Sequence, residues 1–200
     1  GAAKGCQDFI LVSIHHGAGS GIVSNGQLLL GKNRNVGEIG HIQLDPFGEQ
    51  CHCGNFGCLE TLVANKAIMA QTRALLAKGH KSTLNSDNLS IEKICQAAIR
   101  NDQVAVQIIR QAGENLGRVL AILVNLFNPE KILLAGEIVQ SATVLFPALR
   151  QQIQRQSLPN FHHELHLDQA HFQGQGTMGG YALIKLALHE SDLLQRIMQP

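Results

Sequence analysis

Residues 37–60 read GEIGHIQLDPFGEQCHCGNFGCLE, and the chain changes character on either side of them. Within this stretch His41, Cys51, Cys53 and Cys58 stand in the pattern H-x9-C-x-C-x4-C, with Gly48, Gly54 and Gly57 spaced through it. Three thiolates and an imidazole satisfy a tetrahedral Zn²⁺, and the glycines let the backbone fold the sulfurs onto one point. Four protein ligands leave no open position for water, so the expected zinc, one per chain, is structural. His52, between two of the cysteines, is the alternative to His41. His41 is favoured because adjacent Cys51, His52 and Cys53 would point in conflicting directions. Glu38 lies three residues before His41 and Glu60 two after Cys58. Clamping both ends of the loop to one ion can therefore gather Glu38, His41 and Glu60 into an acceptor cluster suited to sugar hydroxyls.

Before this loop the pattern is that of strands. Asp8 to His15 (DFILVSIH) is short, β-branched and apolar, and it is expected to end in a small-residue turn, Gly17-Ala18-Gly19-Ser20-Gly21. Asn25-Gly26 between two apolar runs marks a hairpin, because both turn positions favour positive φ. Two or three antiparallel strands are expected up to about residue 31, and another near Ile42 to Leu44. Residues 45–58 are too rich in Gly, Pro and Cys for regular structure.

After the loop the period becomes helical. A helix is expected from Leu59 to Lys78 with Gly79 as its C′ residue, and a short one to about Ile99 capped by Ser90. A longer helix, capped by Asn101 or Asp102, runs to about Phe127 and stops at Asn128-Pro129. Its second half, Val119 to Phe127, is apolar on nearly every face and is expected to be buried against a sheet. Lys131 to Ala135 reads as a buried strand, Val139 to Gln156 as a helix, Glu164 to Leu167 as a strand, and Thr177 to His189 as a helix. This order fits one lobe of an α/β fold with a mixed sheet. Cys95 reads as core, and His162, His163 and His166 as solvated loop histidines.

Two hundred residues with 44% hydrophobic and 16% charged side chains describe one domain, or two small ones, able to bury roughly 70% of its unfolded surface without disulfides. Sixteen Lys+Arg against 15 Asp+Glu leave +1, with no basic surplus for displacing counterions from DNA. The nearly apolar run Val119–Phe127 is far short of the ~20 residues that span a bilayer. The start lacks a signal pattern. A cytoplasmic location is expected. The opening Gly1-Ala2-Ala3-Lys4, with no initiator Met, reads as the start of a fragment.

Gly37-Glu38-Ile39-Gly40-His41, followed by Cys51-His52-Cys53-Gly54-Asn55-Phe56-Gly57-Cys58-Leu59-Glu60, resembles the signature of the ROK family of repressors, open reading frames and kinases. The likeness to ROK repressors continues through Asp45-Pro46, Cys95-Gln96-Ala97-Ala98, Asn125-Leu126-Phe127-Asn128-Pro129 and Gln175-Gly176-Thr177-Met178. The resemblance implies an actin-like, ribonuclease-H-like lobe, a structural zinc on His41, Cys51, Cys53 and Cys58, and sugar contacts from Glu38, His41 and Glu60. It also implies a DNA-binding region and a first lobe of the sugar cleft upstream of Gly1, making residues 1–200 the C-terminal lobe with a zinc loop at 41–58.

ROK kinases share this architecture. Their Gly-Thr-Gly turn after the first strand meets ATP phosphates through backbone N–H groups and a hydroxyl. Here that turn reads His15-His16-Gly17-Ala18-Gly19, and the second glycine-rich turn carries Glu137, whose carboxylate repels phosphate. The family's catalytic Asp would lie upstream. No catalytic residue is therefore assigned, and the sugar kinase, phosphorylating glucose or N-acetylglucosamine with ATP, stays as an alternative. The expected function is repression of sugar uptake and phosphotransferase genes, relieved by sequestration on the EIIB domain of the glucose permease. The alternative inducer is N-acetylglucosamine 6-phosphate. The helices of residues 176–198, with Leu183, Ile184, Leu186, Leu193, Leu194 and Ile197, are the expected interface of a homodimer or homotetramer.

Overall fold

Strand β1 (Phe9–Ile14) buries Ile10, Val12 and Ile14 completely while Phe9, Leu11 and Ser13 stay half-buried, the alternation of a pleated strand in the short apolar run expected there. The computed structural model describes residues 2–33 and 35–170. The expected helix Thr177–His189 and interface 176–198 lie outside them. Strand β2 (Ala18–Ser24) runs antiparallel to β1, and β3 (Gln27–Leu28) pairs with β2. Strands β4 (Lys131–Gly136) and β5 (His166–Gln169) extend the other side in parallel, giving the mixed order β3-β2-β1-β4-β5. β4 is buried from Ile132 to Ala135, as a strand covered on both faces must be.

The expected turn at Gly17 to Gly21 is corrected: the chain reverses over His15 to Gly17, and Ala18 onward belongs to β2. A run of Ala, Gly and Ser carries no strand pattern in its side chains. The ladder to β1 supplies what the side chains do not. At the next turn Asn25 and Gly26 take φ of 50° and 74°, the left-handed pair the hairpin requires.

The expected helix Leu59–Lys78 is two helices, α1 (Glu60–Val63) and α2 (Asn65–Ala77), separated by extended Ala64 with ψ 153°. Tertiary contact imposes the break, since the Asn65 N–H donates to the His15 carbonyl at 2.9 Å. Helix α3 (Ile91–Ile99) starts as expected, with Ser90 Oγ accepting from the Lys93 N–H. Helix α4 (Gln103–Phe127) is capped by Asp102, not Asn101, and ends at Asn128 in the left-handed conformation.

α4 packs along α5 (Ala142–Gln156) at close range: a Cβ on Gly113 or Gly117 would meet Ala148 or Gln152 within 3.0 Å. Among the described residues this contact leaves one side of α4 open. Of the stretch expected to be buried, Val119, Leu120, Ala121, Leu123 and Val124 are, while Ile122 and Leu126 are 41% and 68% exposed. A one-turn helix before α5, Glu137–Ser141, delays its expected start at Val139, and β5 begins two residues after the expected Glu164. Between them, α6 (Pro159–His162) was not expected. His162 meets Ser157 Oγ at 3.0 Å, while His163 and His166 are exposed. Residues 42–44 form no strand, only an isolated bridge between Gln43 and Cys58. Cys95 is fully buried, as expected. Among the described residues no helix is long and apolar enough to cross a membrane.

Asp102 ties α4 to the preceding loop. Its carboxylate accepts from the Ala105 and Thr83 N–H groups and from the Ser82 and Thr83 hydroxyls. Partial burial works against the charge, but these donors outweigh it and hold the carboxyl below its ordinary value. Asp102→Ala is expected to cost about 1–2 kcal/mol of stability, the usual range for a lost N-cap. Because the folded value is depressed, the contribution is complete above the unfolded value of ~3.9 and is lost as pH falls through the lower folded value. Urea unfolding should therefore show the full difference at pH 7 and a shrinking one below about pH 4.

Candidate functional site

The 37–41 segment lies on the outer edge of β2. Gly37 accepts from the Ser20 N–H at 2.7 Å, Ile39 is buried, and the chain then makes a single helical turn, Ile39–His41. From there the loop closes on itself. Leu44 N–H bonds to Gly57, Cys51 N–H to Asn55, Gly54 N–H to Cys51, and Leu59 N–H to Ile42. Gly54 and Gly57 take the positive φ values of 93° and 57° that this folding needs.

The result gathers the four donors of the sequence pattern. One donor atom each from His41, Cys51, Cys53 and Cys58 lies within 4.8 Å of all the others. Cys51 Sγ is 3.6 Å from His41 Nδ1, and Cys53 Sγ is 3.7 Å from Cys58 Sγ. Zinc bonds of ~2.3 Å to sulfur and ~2.0–2.1 Å to nitrogen place tetrahedral ligands roughly 3.6–3.8 Å apart, so these separations suit one ion. The cluster is compatible with metal binding.

The thiols are electrostatically unequal. Burial, with Cys53 and Cys51 beside it, pushes Cys58 up to about 12. The Asn55 backbone holds Cys53 below its ordinary value. A coordinated divalent ion deprotonates such thiols outright, and binding then releases protons.

His52 does not join the sulfurs of Cys53 and Cys58. Its Nδ1 lies 2.9 Å from Glu60 Oε1 and 3.8 Å from Cys51 Sγ, and its ring meets that of His41 edge-on at 5.1 Å. Sequence reasoning treated His52 only as a substitute ligand and missed its approach to Glu60. Glu60 opens α1 with a side chain only 17% exposed. The Glu38 side chain is exposed, and its carbonyl accepts from the His41 N–H at 3.2 Å.

A second polar cluster sits at the ends of the adjacent parallel strands β1 and β4, where α/β sheets commonly receive ligands. Glu137 Oε2 is 2.8 Å from His15 Nδ1 and accepts from Asn65 Nδ2 at 2.8 Å. Partial burial opposes its charge, but Asn65, its own backbone and His15 outweigh that and hold the carboxyl below its ordinary value. His15 and Glu137, singled out separately in the sequence, are thus one hydrogen-bonded unit. Asn65 was missed, because its partners are 50 and 72 residues away in the chain.

The sequence matches the model of the ROK family over residues 1–187. The chain belongs to the ROK family. Its lobe has the actin-like, ribonuclease-H-like α/β fold of that family. It is 45% identical over 199 residues to the DNA-binding transcriptional dual regulator NagC of Escherichia coli K12, and 41% identical to the DNA-binding transcriptional repressor Mlc of the same strain. Both alignments cover 100% of this chain and 49% of the regulator, so the chain spans about half the length of these curated relatives. The crystal structure of a ROK family transcriptional regulator, a homologue of E. coli Mlc, superposes with a TM-score of 0.91. It is 47% identical, and the match covers 98% of this chain and 50% of that one. The ROK family also includes sugar kinases. A glucokinase of Halalkalibacterium halodurans is 32% identical, with 92% of this chain and 58% of the kinase covered.

Proposed function

We propose that this chain is the effector and dimerisation lobe of a transcriptional repressor of sugar uptake and phosphotransferase genes. The observation that carries the reading is its 45% identity, along the whole chain, to a DNA-binding regulator. The DNA contact would belong to residues outside these 200, which agrees with their net charge of +1. His41, Cys51, Cys53 and Cys58 would hold a structural zinc in the cytoplasm. That zinc would keep the loop's shape, so that Glu38, His41 and Glu60 face a sugar. In the permease-controlled version, release from DNA follows capture by the EIIB domain of the glucose permease. In the effector-controlled version, N-acetylglucosamine 6-phosphate relieves repression.

The kinase reading rests on the glucokinase similarity, and the second polar cluster opposes it. A phosphate approaching the ends of β1 and β4 would meet the Glu137 carboxylate, held in place by His15 and Asn65. Gel-shift titration of the full-length protein on promoter DNA of sugar uptake genes tests the proposal. Binding is expected, with loss on adding either N-acetylglucosamine 6-phosphate or unphosphorylated EIIB. ATP-dependent phosphorylation of glucose or N-acetylglucosamine, without DNA binding, would overturn it.

A further inference from the structure

His52 is the residue of the metal loop that the reading above leaves without a task. It stands between Cys51 and Cys53, yet its Nδ1 turns to Glu60 Oε1 at 2.9 Å. An imidazole nitrogen and a carboxylate oxygen at that distance attract only when the nitrogen carries its proton, so this contact selects the Nδ1–H form of the ring. The same Nδ1 is 3.8 Å from Cys51 Sγ. One N–H thus stands between a sulfur of the metal cluster and the carboxylate proposed to meet the sugar.

The other oxygen of Glu60 is confined as well. A Cβ on Gly17 would lie 2.5 Å from Glu60 Oε2, so the carboxylate occupies the space that any side chain at position 17 would take. Glu60 is also too well covered to leave its charge to solvent, at 17% side-chain exposure against 71% for His52. With His52 at Oε1 and bare backbone under Oε2, its orientation is specified from both sides.

We propose that His52 is a positioning residue for Glu60, linking the metal loop to the sugar-facing carboxylate through Cys51. The inference rests on the sugar-binding reading of Glu60, and its test separates the two.

In the zinc-loaded full-length protein, His52→Ala is expected to keep one metal per chain and to weaken N-acetylglucosamine 6-phosphate binding about threefold to tenfold, the worth of one net polar contact. His52→Asn, whose amide reaches the place of Nδ1, is expected to restore the affinity. Gly17→Ala is expected to weaken it by displacing Oε2 while leaving the metal untouched. Loss of metal in His52→Ala would make His52 a ligand and overturn the proposal. So would unchanged sugar affinity in His52→Ala where Glu60→Ala abolishes binding. If the wild-type protein binds no sugar phosphate, the sugar reading falls, and the ¹⁵N imidazole resonances of His52 decide the link alone. An Nδ1-protonated ring whose resonance moves in Glu60→Ala supports it, and an unmoved resonance overturns it.

Discussion

Cys58→Ser is expected to release the proposed zinc and to unlock the loop between residues 41 and 58. Cys58 is fully buried, 3.7 Å from Cys53 Sγ and 3.7 Å from the His41 carbonyl, at the point where the loop returns to the body of the lobe. A serine hydroxyl there is shorter, stays protonated at neutral pH and is a poor partner for zinc. The remaining Cys51, Cys53 and His41 offer three ligands where four were paired. Binding of a structural zinc by such a set is worth ~10–16 kcal/mol near pH 7, more than any single packing contact in the lobe. Metal per chain, measured by mass spectrometry of the purified protein, is expected to fall from one to well below one, together with a lower melting temperature and protease cleavage within the loop. A variant that keeps a full metal complement would remove Cys58 from the ligand set. Acidification is expected to act in the same direction on the wild type, since protons compete for the thiolates and the imidazole.

Gly37→Ala is expected to be strongly destabilising and to disturb the proposed sugar contacts. Gly37 has φ of +92°, and a Cβ there would run into the Ser20 carbonyl of β2. The clash is with backbone, so no rotamer change relieves it. Relief requires lifting residues 37–41 off the sheet and losing the Ser20-to-Gly37 hydrogen bond. Strain at a left-handed position and the lost bond together suggest a cost of about 2–4 kcal/mol. Gly54 is the internal comparison: its φ is nearly the same, +93°, but nothing lies within 4 Å of its Cβ position. Gly54→Ala should therefore show the conformational strain without the clash. Urea unfolding of the two variants side by side measures the difference. Equal losses would mean that the 37–41 segment is not held against β2 in solution. Glu38 and His41 ride on this segment, so Gly37→Ala should also weaken sugar binding while leaving Cys51, Cys53 and Cys58 in place.

Much of this lobe is legible in the sequence where a residue type has only one good use. Asn25-Gly26 suits a turn with two positive φ values. Ser90 and Asp102 stand where a helix start needs a side-chain acceptor. The spacing of His41, Cys51, Cys53 and Cys58 suits one tetrahedral ion before any coordinates are known. Side-chain pattern is silent where the backbone or a distant partner decides. Ala18-Gly19-Ser20-Gly21 has no strand pattern, yet it is paired throughout with β1. Ala64 has no breaking residue type, yet the helix stops there because Asn65 is drawn to His15 and Glu137. Ile122 and Leu126 satisfy an apolar pattern, but α5 reaches α4 on another side.

The candidate site divides in the same way. Ligand chemistry and the carboxylates of Glu38 and Glu60 are properties of residue type and local spacing, and the sequence by itself determined them. Two pairings were decided only by the tertiary structure: His52 with Glu60, and Glu137 with His15 and Asn65. Each depends on where the loop or strand end comes to rest in three dimensions. A hydrogen-bonding side chain acts over about 3 Å, and neither the 72 and 122 residues that separate Glu137 from Asn65 and His15 nor the short step from His52 to Glu60 carries a trace of that distance.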